Sequence, residues 1–309
     1  MANKALLIGI NNYKYINDLR GCINDITNMR DILINQYKFQ PENISLLADH
    51  RATKEMILTR VKWLFSNLSA KDHIVFHFSG HGSQIRENLQ DEEHRDEKDE
   101  LDELICLYDI DFKDNSGYLV DDELSELFYK KPAQARLTVL LDCCHSGSGT
   151  RDILGVMPPA SDLRSPGWGA GGPKAHPLTR VAQARMMGEE VEAGPEVICR
   201  FAPPPIDIIA RVDERKTMPT RHLLRTNGKK TMNHTLLAAC TDFQTSADAL
   251  IGGTYNGAFT YYFCDALRDL GPKVTYEQIV GRVRHSLKHY HYGQIPQLEG
   301  SKKGQFLFS

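Results

Sequence analysis

The stretch HIVFHFSGHGSQ, His73 to Gln84, decides how the rest of the chain is read. Ile74, Val75, Phe76 and Phe78 are residues that fit a buried pleated strand, and the SGHG that follows ends it with one imidazole between two glycines. A stiff apolar strand that delivers a histidine to its tip is a mount for that side chain. Working outward, KALLIGIN (4–11) and NISLLAD (43–49) read as two further strands. ARLTVLLDCCHSG (135–147) reads as a fourth, again apolar and again ending in small polar residues. Between them, Ile26, Met29, Ile32 and Leu33 recur at helical spacing, and TKEMILTRVKWLFSNL is a second amphipathic helix with Thr53 as its N-cap. Strand, helix, strand, helix, strand implies a mostly parallel sheet with helices on both faces, an α/β fold whose working groups gather at the carboxyl ends of the strands. His81 and Cys144 both fall just past such an end.

The chain has 309 residues, enough to bury a substantial core, and its 41% apolar and 25% charged residues are those of a globular protein. A formal net charge of -3 offers no basic field for nucleic acid or an anionic membrane. No apolar run approaches the ~20 residues of a membrane helix, and the start lacks a secretory signal. Seven cysteines, an odd number, suggest free thiols and a reducing cytoplasm rather than a disulfide framework. The run DEEHRDEKDELDE (91–103) carries nine acids and two basic residues and reads as a solvated loop.

Ten of the fourteen prolines fall between Gly155 and Met232, with little periodicity. The expected organisation is therefore a large catalytic part (1–154), a proline- and glycine-rich inserted linker (155–232) that is partly disordered with a short helix near TRVAQARMMGEEVE, and a small part (233–309) completing the same domain. In that last part HTLLAACTD reads as a strand, GAFTYYFCDALRDL and TYEQIVGRVRHSLKHY as helices, and KKGQFLFS as a closing strand.

A thiol becomes a nucleophile when a neighbouring group takes its proton, and an imidazole fixed within hydrogen-bond reach does this. His81 and Cys144 are the candidate base and nucleophile. The N–H of Gly82 and that of Cys144 form a candidate oxyanion hole. Against this, a buried Cys is more often a small hydrophobe, and a His at a strand end more often a hydrogen-bonding residue. His73 and His77 lie inside the strand and read as packing or surface residues. His145 adjoins the thiol but points away from it. Propensity alone does not choose between Cys143 and Cys144, and three adjacent side chains in CCH converge poorly on a metal.

HFSGHG followed by DCCHSGSG resembles the caspase-like cysteine peptidases, in the metacaspase or orthocaspase branch. LRGCINDI, YLVDDE, AACTDFQTSADA and GAFTYYFCDAL extend the likeness over nearly all of the chain except the proline-rich insertion. The resemblance implies the caspase-haemoglobinase fold, with a mostly parallel sheet of about six strands. It makes His81 the base and Cys144, directly before HSG, the nucleophile of peptide-bond hydrolysis through an acyl-enzyme, with Cys143 structural. It also implies an acidic first specificity pocket of Cys22, Asp25, Ser79 and Asp142, hence cleavage of protein or peptide substrates after Arg, with Lys second. Asp25 by itself could equally be a helix-start residue. Calcium activation is a further implication, through Asp102, Asp121, Asp122 and Asp152, although a surface acid cluster is the plain alternative. So are a monomer, a zymogen matured by linker cleavage, whether by itself or by an upstream protease, and a part in regulated proteolysis or programmed cell death. Nine arginines between Arg151 and Arg225 are candidate cleavage sites, and nothing in the sequence chooses among them. The competing readings are a non-catalytic adaptor of the same fold that binds basic peptides, and an Asp-specific protease.

Overall fold

A computed structural model describes residues 3–69, 72–86, 101–133, 135–144, 197–204, 233–241, 244–300 and 303–308. Its centre is a six-stranded sheet built from β1 (Lys4–Gly9), β2 (Ile44–Ala48), β3 (His73–Ser79), β7 (Arg136–Asp142), β9 (Thr235–Ala238) and β12 (Gln297–Glu299), in the order β12-β9-β7-β3-β1-β2. All neighbours pair parallel except β12 with β9.

The period-2 alternation of the strands divides the apolar residues between two cores. Leu6, Ile8, Ile74, Phe76, Phe78, Val139 and Leu141 face α2 (Lys54–Leu64) and α3 (Asp121–Tyr129). Leu7, Val75 and Leu140 face α1 (Cys22–Asn35), α4 (Ala258–Leu270) and α5 (Tyr276–His289). Strands buried on both faces, with helices above and below, explain why β1 and β3 read as continuous apolar runs. Thr53 caps α2 by accepting the N–H of Met56, and Thr275 caps α5 in a capping box with Gln278.

Two smaller antiparallel sheets flank the carboxyl ends. One joins β4 (Gly82–Arg86), β5 (Leu101–Asp111) and β6 (Ser116–Val120); the other joins β8 (Ile198–Cys199), β10 (Ala247–Ile251) and β11 (Thr254–Gly257). Neither was read from the sequence: β5–β6 and β10–β11 are local hairpins, the latter turning at Gly252-Gly253, but their strands carry no long apolar run, and β4 and β8 join them only through distant pairing.

The closing segment differs from expectation. Residues Lys303–Phe308 make turns and one isolated bridge, Thr275 with Phe306, and are not a strand. Phe308 packs its ring against Tyr37, Phe39 and His73, so the apolar alternation there serves helix-side packing. The last sheet strand is Gln297–Glu299. The short helix expected near TRVAQARMMGEEVE lies outside the described residues, as does most of the acidic loop. No helix among the described residues is long and apolar enough to cross a membrane.

Candidate active site

β3 and β7 pair in register, with Ser79 opposite Asp142. By alternation, both side chains point to the same face of the sheet as Val75 and Leu140, the face that α1 and α4 cover. Asp25 comes down from the first turns of α1 to meet them, and Ser79 Oγ donates to Asp25 Oδ2 at 2.7 Å. Cys22, one turn earlier on α1, is fully buried, and its thiol, pushed up by that burial, lies close to Ser79 and Asp25. The four residues of the expected pocket therefore meet at one place.

A fifth member is Asp248 of β10. Its Oδ2 accepts the N–H groups of Arg20 (2.6 Å) and Gly21 (3.2 Å), which turns Oδ1 into the pocket. Sequence reading missed it, since SADALI carries no local sign that it pairs across the molecule.

The pocket holds a side chain of the same protein. Arg200 has no solvent exposure. Its Nη2 lies 2.7 Å from Asp25 Oδ2 and 3.3 Å from Asp248 Oδ1, while Nη1 lies 3.3 Å from Asp142 Oδ2 and donates to Ser79 Oγ at 2.8 Å. Asp25 also accepts the N–H of Gly257 (3.0 Å), and Asp142 accepts from Ser246 Oγ (2.6 Å) and from the N–H and Oγ1 of Thr260 (3.0 and 2.7 Å). A side chain at Gly257 would run into both Asp142 and Arg200, so only glycine leaves room for a guanidinium there. Burial pushes the Asp25 carboxyl up to about 7, helped by Asp142 and opposed by the Arg200 guanidinium. Three acids facing one cation hold Arg200 protonated.

The backbone of this arginine is held as firmly as its side chain. Its carbonyl accepts the N–H of Gly82 at 3.0 Å and that of Cys144 at 3.2 Å, and its own N–H donates to Ser246 O at 3.0 Å. β8 lies antiparallel along β10, with Cys199 opposite Ala247. Beyond Arg200, Phe201 bridges to Gly82, the N–H of Ala202 donates to Gly82 O (2.9 Å) and Ser83 Oγ donates to Ala202 O (2.6 Å). A Cβ on Gly82 would collide with the Cys144 carbonyl, which keeps the two amides side by side. Residues 197–204 thus lie through the cleft on both sides of the Arg200 carbonyl.

His81 lies close to the Arg200 backbone. Tyr13 Oη accepts its backbone N–H at 2.8 Å, and the two rings lie 5.0 Å apart. Its Nε2 lies 2.9 Å from the Asn17 carbonyl. A carbonyl only accepts, so Nε2 carries the proton and Nδ1 keeps its lone pair. Nδ1 hydrogen-bonds to no described group, although the Arg200 backbone lies near enough to favour the charged ring. Burial nevertheless lowers the imidazole to about 4, so it is neutral at neutral pH.

His81 and Cys144 do not hydrogen-bond to each other here. The Cys144 thiol is fully buried and is held protonated by that burial; it takes the N–H of Ser246 and contacts the thiols of Cys199 and Cys240. Cys143 packs into the core on the opposite face of the sheet, and His77 lies buried beside Thr260. His145 and Asp152 lie outside the described residues.

The acids expected to bind calcium sit elsewhere, where β5 meets the start of α3. Asp121 is pushed up to about 8 by burial and by the nearby charges of Asp122 and Asp102. That crowding suits a divalent cation in charge. However, no three metal-ligating side chains among the described residues converge closely enough to hold an ion. The fit is electrostatic and incomplete in geometry.

A mostly parallel α/β sheet of this order, with a thiol and an imidazole past the tips of adjacent strands, defines the caspase-like class. The chain aligns in structure with a Geobacter sulfurreducens protein of known crystal structure at a TM-score of 0.62, 20% identity, and coverage of 100% of this chain and 99% of that one, a likeness of fold. Residues 3–151 match the family described as metacaspase, peptidase C14 domain. The chain is 34% identical to Metacaspase-1 of Pyricularia oryzae over 96% of its own length and 71% of that protein. It is 33% identical to Metacaspase-1A of Aspergillus fumigatus, over 96% and 68%, and 33% identical to Metacaspase-1 of Coccidioides immitis, over 96% and 61%. The chain belongs to the metacaspase family. It spans about three fifths to two thirds of the length of several of these relatives.

Proposed function

We infer that the chain is a cysteine endopeptidase that cleaves after arginine, with lysine second, and that it is made as a zymogen whose first substrate is its own Arg200–Phe201 bond. One observation carries this: Arg200 puts its guanidinium among three carboxylates while its carbonyl rests on the Gly82 and Cys144 amides. That is the posture of a substrate residue whose next bond is to be cut.

In this reading Cys144 Sγ attacks the carbonyl carbon as His81 Nδ1 takes the thiol proton. The oxygen gains charge where the two N–H groups already point. His81 returns the proton to the amine of Phe201, which leaves, and water activated by the same imidazole hydrolyses the acyl-enzyme. Asn17, through its carbonyl, fixes the tautomer that makes Nδ1 the base. Neutral thiol and neutral imidazole describe a resting state. The first cut starts from these neutral groups with Arg200 in place; departure of the cut segment then lets water in, which lowers the thiol and raises the imidazole towards their usual values for later substrates.

Selectivity follows from the pocket. A guanidinium reaches Asp25 and Asp248 with one nitrogen and Asp142 and Ser79 with the other; a lysine ammonium has one nitrogen and cannot span both groups. An aspartate side chain would meet three like charges in a dry site and be repelled by several kcal/mol. The latency suits regulated proteolysis, programmed cell death included, with an upstream protease as an alternative trigger. For calcium the proposal is a site on Asp102, Asp121, Asp122 and Asp152, supported only by the crowded charge that raises Asp121. A monomer in the cytoplasm completes the proposal.

A panel of fluorogenic peptides ending in Arg, Lys or Asp tests it. Turnover is expected with Arg above Lys and none with Asp, and Cys144→Ala removes it. Turnover surviving that substitution, or a preference for Asp, refutes the reading.

A further inference from the structure

Three thiols meet at the reacting centre. The Cys144 thiol packs against those of Cys199 and Cys240 and donates to the Ser246 carbonyl at 3.7 Å. Together with Phe201 these side chains form a small packed cluster of their own, separate from both cores. The peptidase chemistry uses only the middle thiol. Cys240 is 4% exposed and held by the Cys143 carbonyl at 3.6 Å. Cys199 is the partly exposed member, at the edge where β8 lies along β10.

We propose that Cys199 and Cys144 form a reversible disulfide that locks residues 197–204 into the cleft under two-electron oxidation by a peroxide. This rests on Cys144 being the reactive thiol of the site and adds a redox modification to it. The more accessible thiol reacts first: Cys199–SH and hydrogen peroxide give Cys199–SOH and water. The Cys144 sulfur then attacks the Cys199 sulfur, forming the S–S bond; hydroxide leaves and takes the thiol proton as a second water. A dithiol reductant reverses the step by disulfide exchange, restoring two thiols and leaving its own disulfide. Because Cys199 is directly before Arg200, the bond fixes the peptide at the point where the guanidinium and carbonyl are already held. Cleavage after Arg200 leaves both cysteines on the same fragment, so the lock works before and after processing.

The test uses the full-length protein treated with hydrogen peroxide, alkylated, digested without reductant and mapped by mass spectrometry, with Arg-peptide hydrolysis measured in parallel. The expected result is a Cys144–Cys199 cross-linked peptide, with hydrolysis falling at least tenfold and returning on addition of dithiothreitol. In Cys199→Ser the cross-link is absent and peroxide inactivation no longer reverses. Formation of a Cys144–Cys240 bond instead, or oxidation of Cys144 to sulfinic acid with no cross-link in the wild type, overturns the proposal. The cross-link is read independently of turnover. A protein that links these cysteines but cleaves nothing after arginine defeats the peptidase reading alone, whereas one that cleaves but never links them defeats this proposal alone.

Discussion

Two clusters of three aspartates sit in this molecule, and they behave differently. Asp25, Asp142 and Asp248 surround a guanidinium and are further bonded by Ser79, Ser246, Thr260 and the Gly257 amide. At Asp102, Asp121 and Asp122, no cation is among the groups that set the Asp121 carboxyl; its neighbours' charges and burial drive it up to about 8. The difference shows what turns grouped carboxylates into a recognition site. The sheet fixes Ser79 and Asp142 in register, the helix above adds Asp25, and hydroxyls and amides point the oxygens at one spot. At the second cluster burial and the charges of Asp122 and Asp102 outweigh the backbone amides that Asp121 accepts, and its carboxyl is driven up.

Breaking the first cluster is expected to have the largest effect. Asp142→Ala should lower kcat/KM for Arg peptides by roughly 100-fold or more, since loss of one partner of a buried charge pair costs about 3–5 kcal/mol. A steady-state comparison with wild type on the same peptide checks it, and an unchanged constant would remove Asp142 from the pocket. Arg200→Met addresses the cation side. It leaves three buried acids without their cation, so the uncut variant is expected to be less stable by roughly 3 kcal/mol at pH 8, with the loss shrinking as the acids protonate. Denaturant unfolding at two pH values measures this.

The pH profile sharpens the comparison further. Asp25 titrates near 7, above the ordinary carboxylate range, so it is neutral below and charged above that value. Hydrolysis after Arg should therefore fall as pH drops through about 7, by up to tenfold per unit. His81 is held at about 4 by burial while residues 197–204 fill the cleft and rises once they withdraw, so the Asp25→Asn variant separates the two groups. In Asp25→Asn the limb near 7 should vanish along with most of the activity; a limb that persists assigns it to another group.

The smallest effect belongs to the second cluster. Asp121 has a folded value raised above 3.8, so its ionisation opposes folding: stability is complete below that pH and declines as pH rises towards 8. Asp121→Asn should then raise stability at pH 8 by roughly 1–2 kcal/mol and change little at pH 4. Calcium should stabilise wild type at pH 8 and not the variant, as followed by thermal unfolding. No calcium shift in either would remove the metal from the account.

Much of the architecture was legible in the sequence because β1, β3 and β7 are buried on both faces and announce themselves as apolar runs. Placing His81 and Cys144 past adjacent strand tips needed only that and the parallel grammar. Asp248, Ser246 and Asn17 were not legible, since their roles depend on which loop or hairpin the fold brings to the strand ends. Arg200 was one of nine similar residues, and only the pairing of β8 with β10 distinguishes it. KKGQFLFS shows the opposite error: local alternation was real, but the chain spends it on Tyr37, Phe39 and His73 rather than on a sheet edge.

Mass spectrometry of the fragments formed by the wild-type protein and by Cys144→Ala, both incubated with and without calcium, bears most directly on the arginine found in the pocket. A wild-type fragment beginning at Phe201, absent from the variant, is the expected outcome. A wild-type chain that turns over Arg peptides yet is cut only elsewhere, or a Phe201 fragment that the variant also produces, would contradict it.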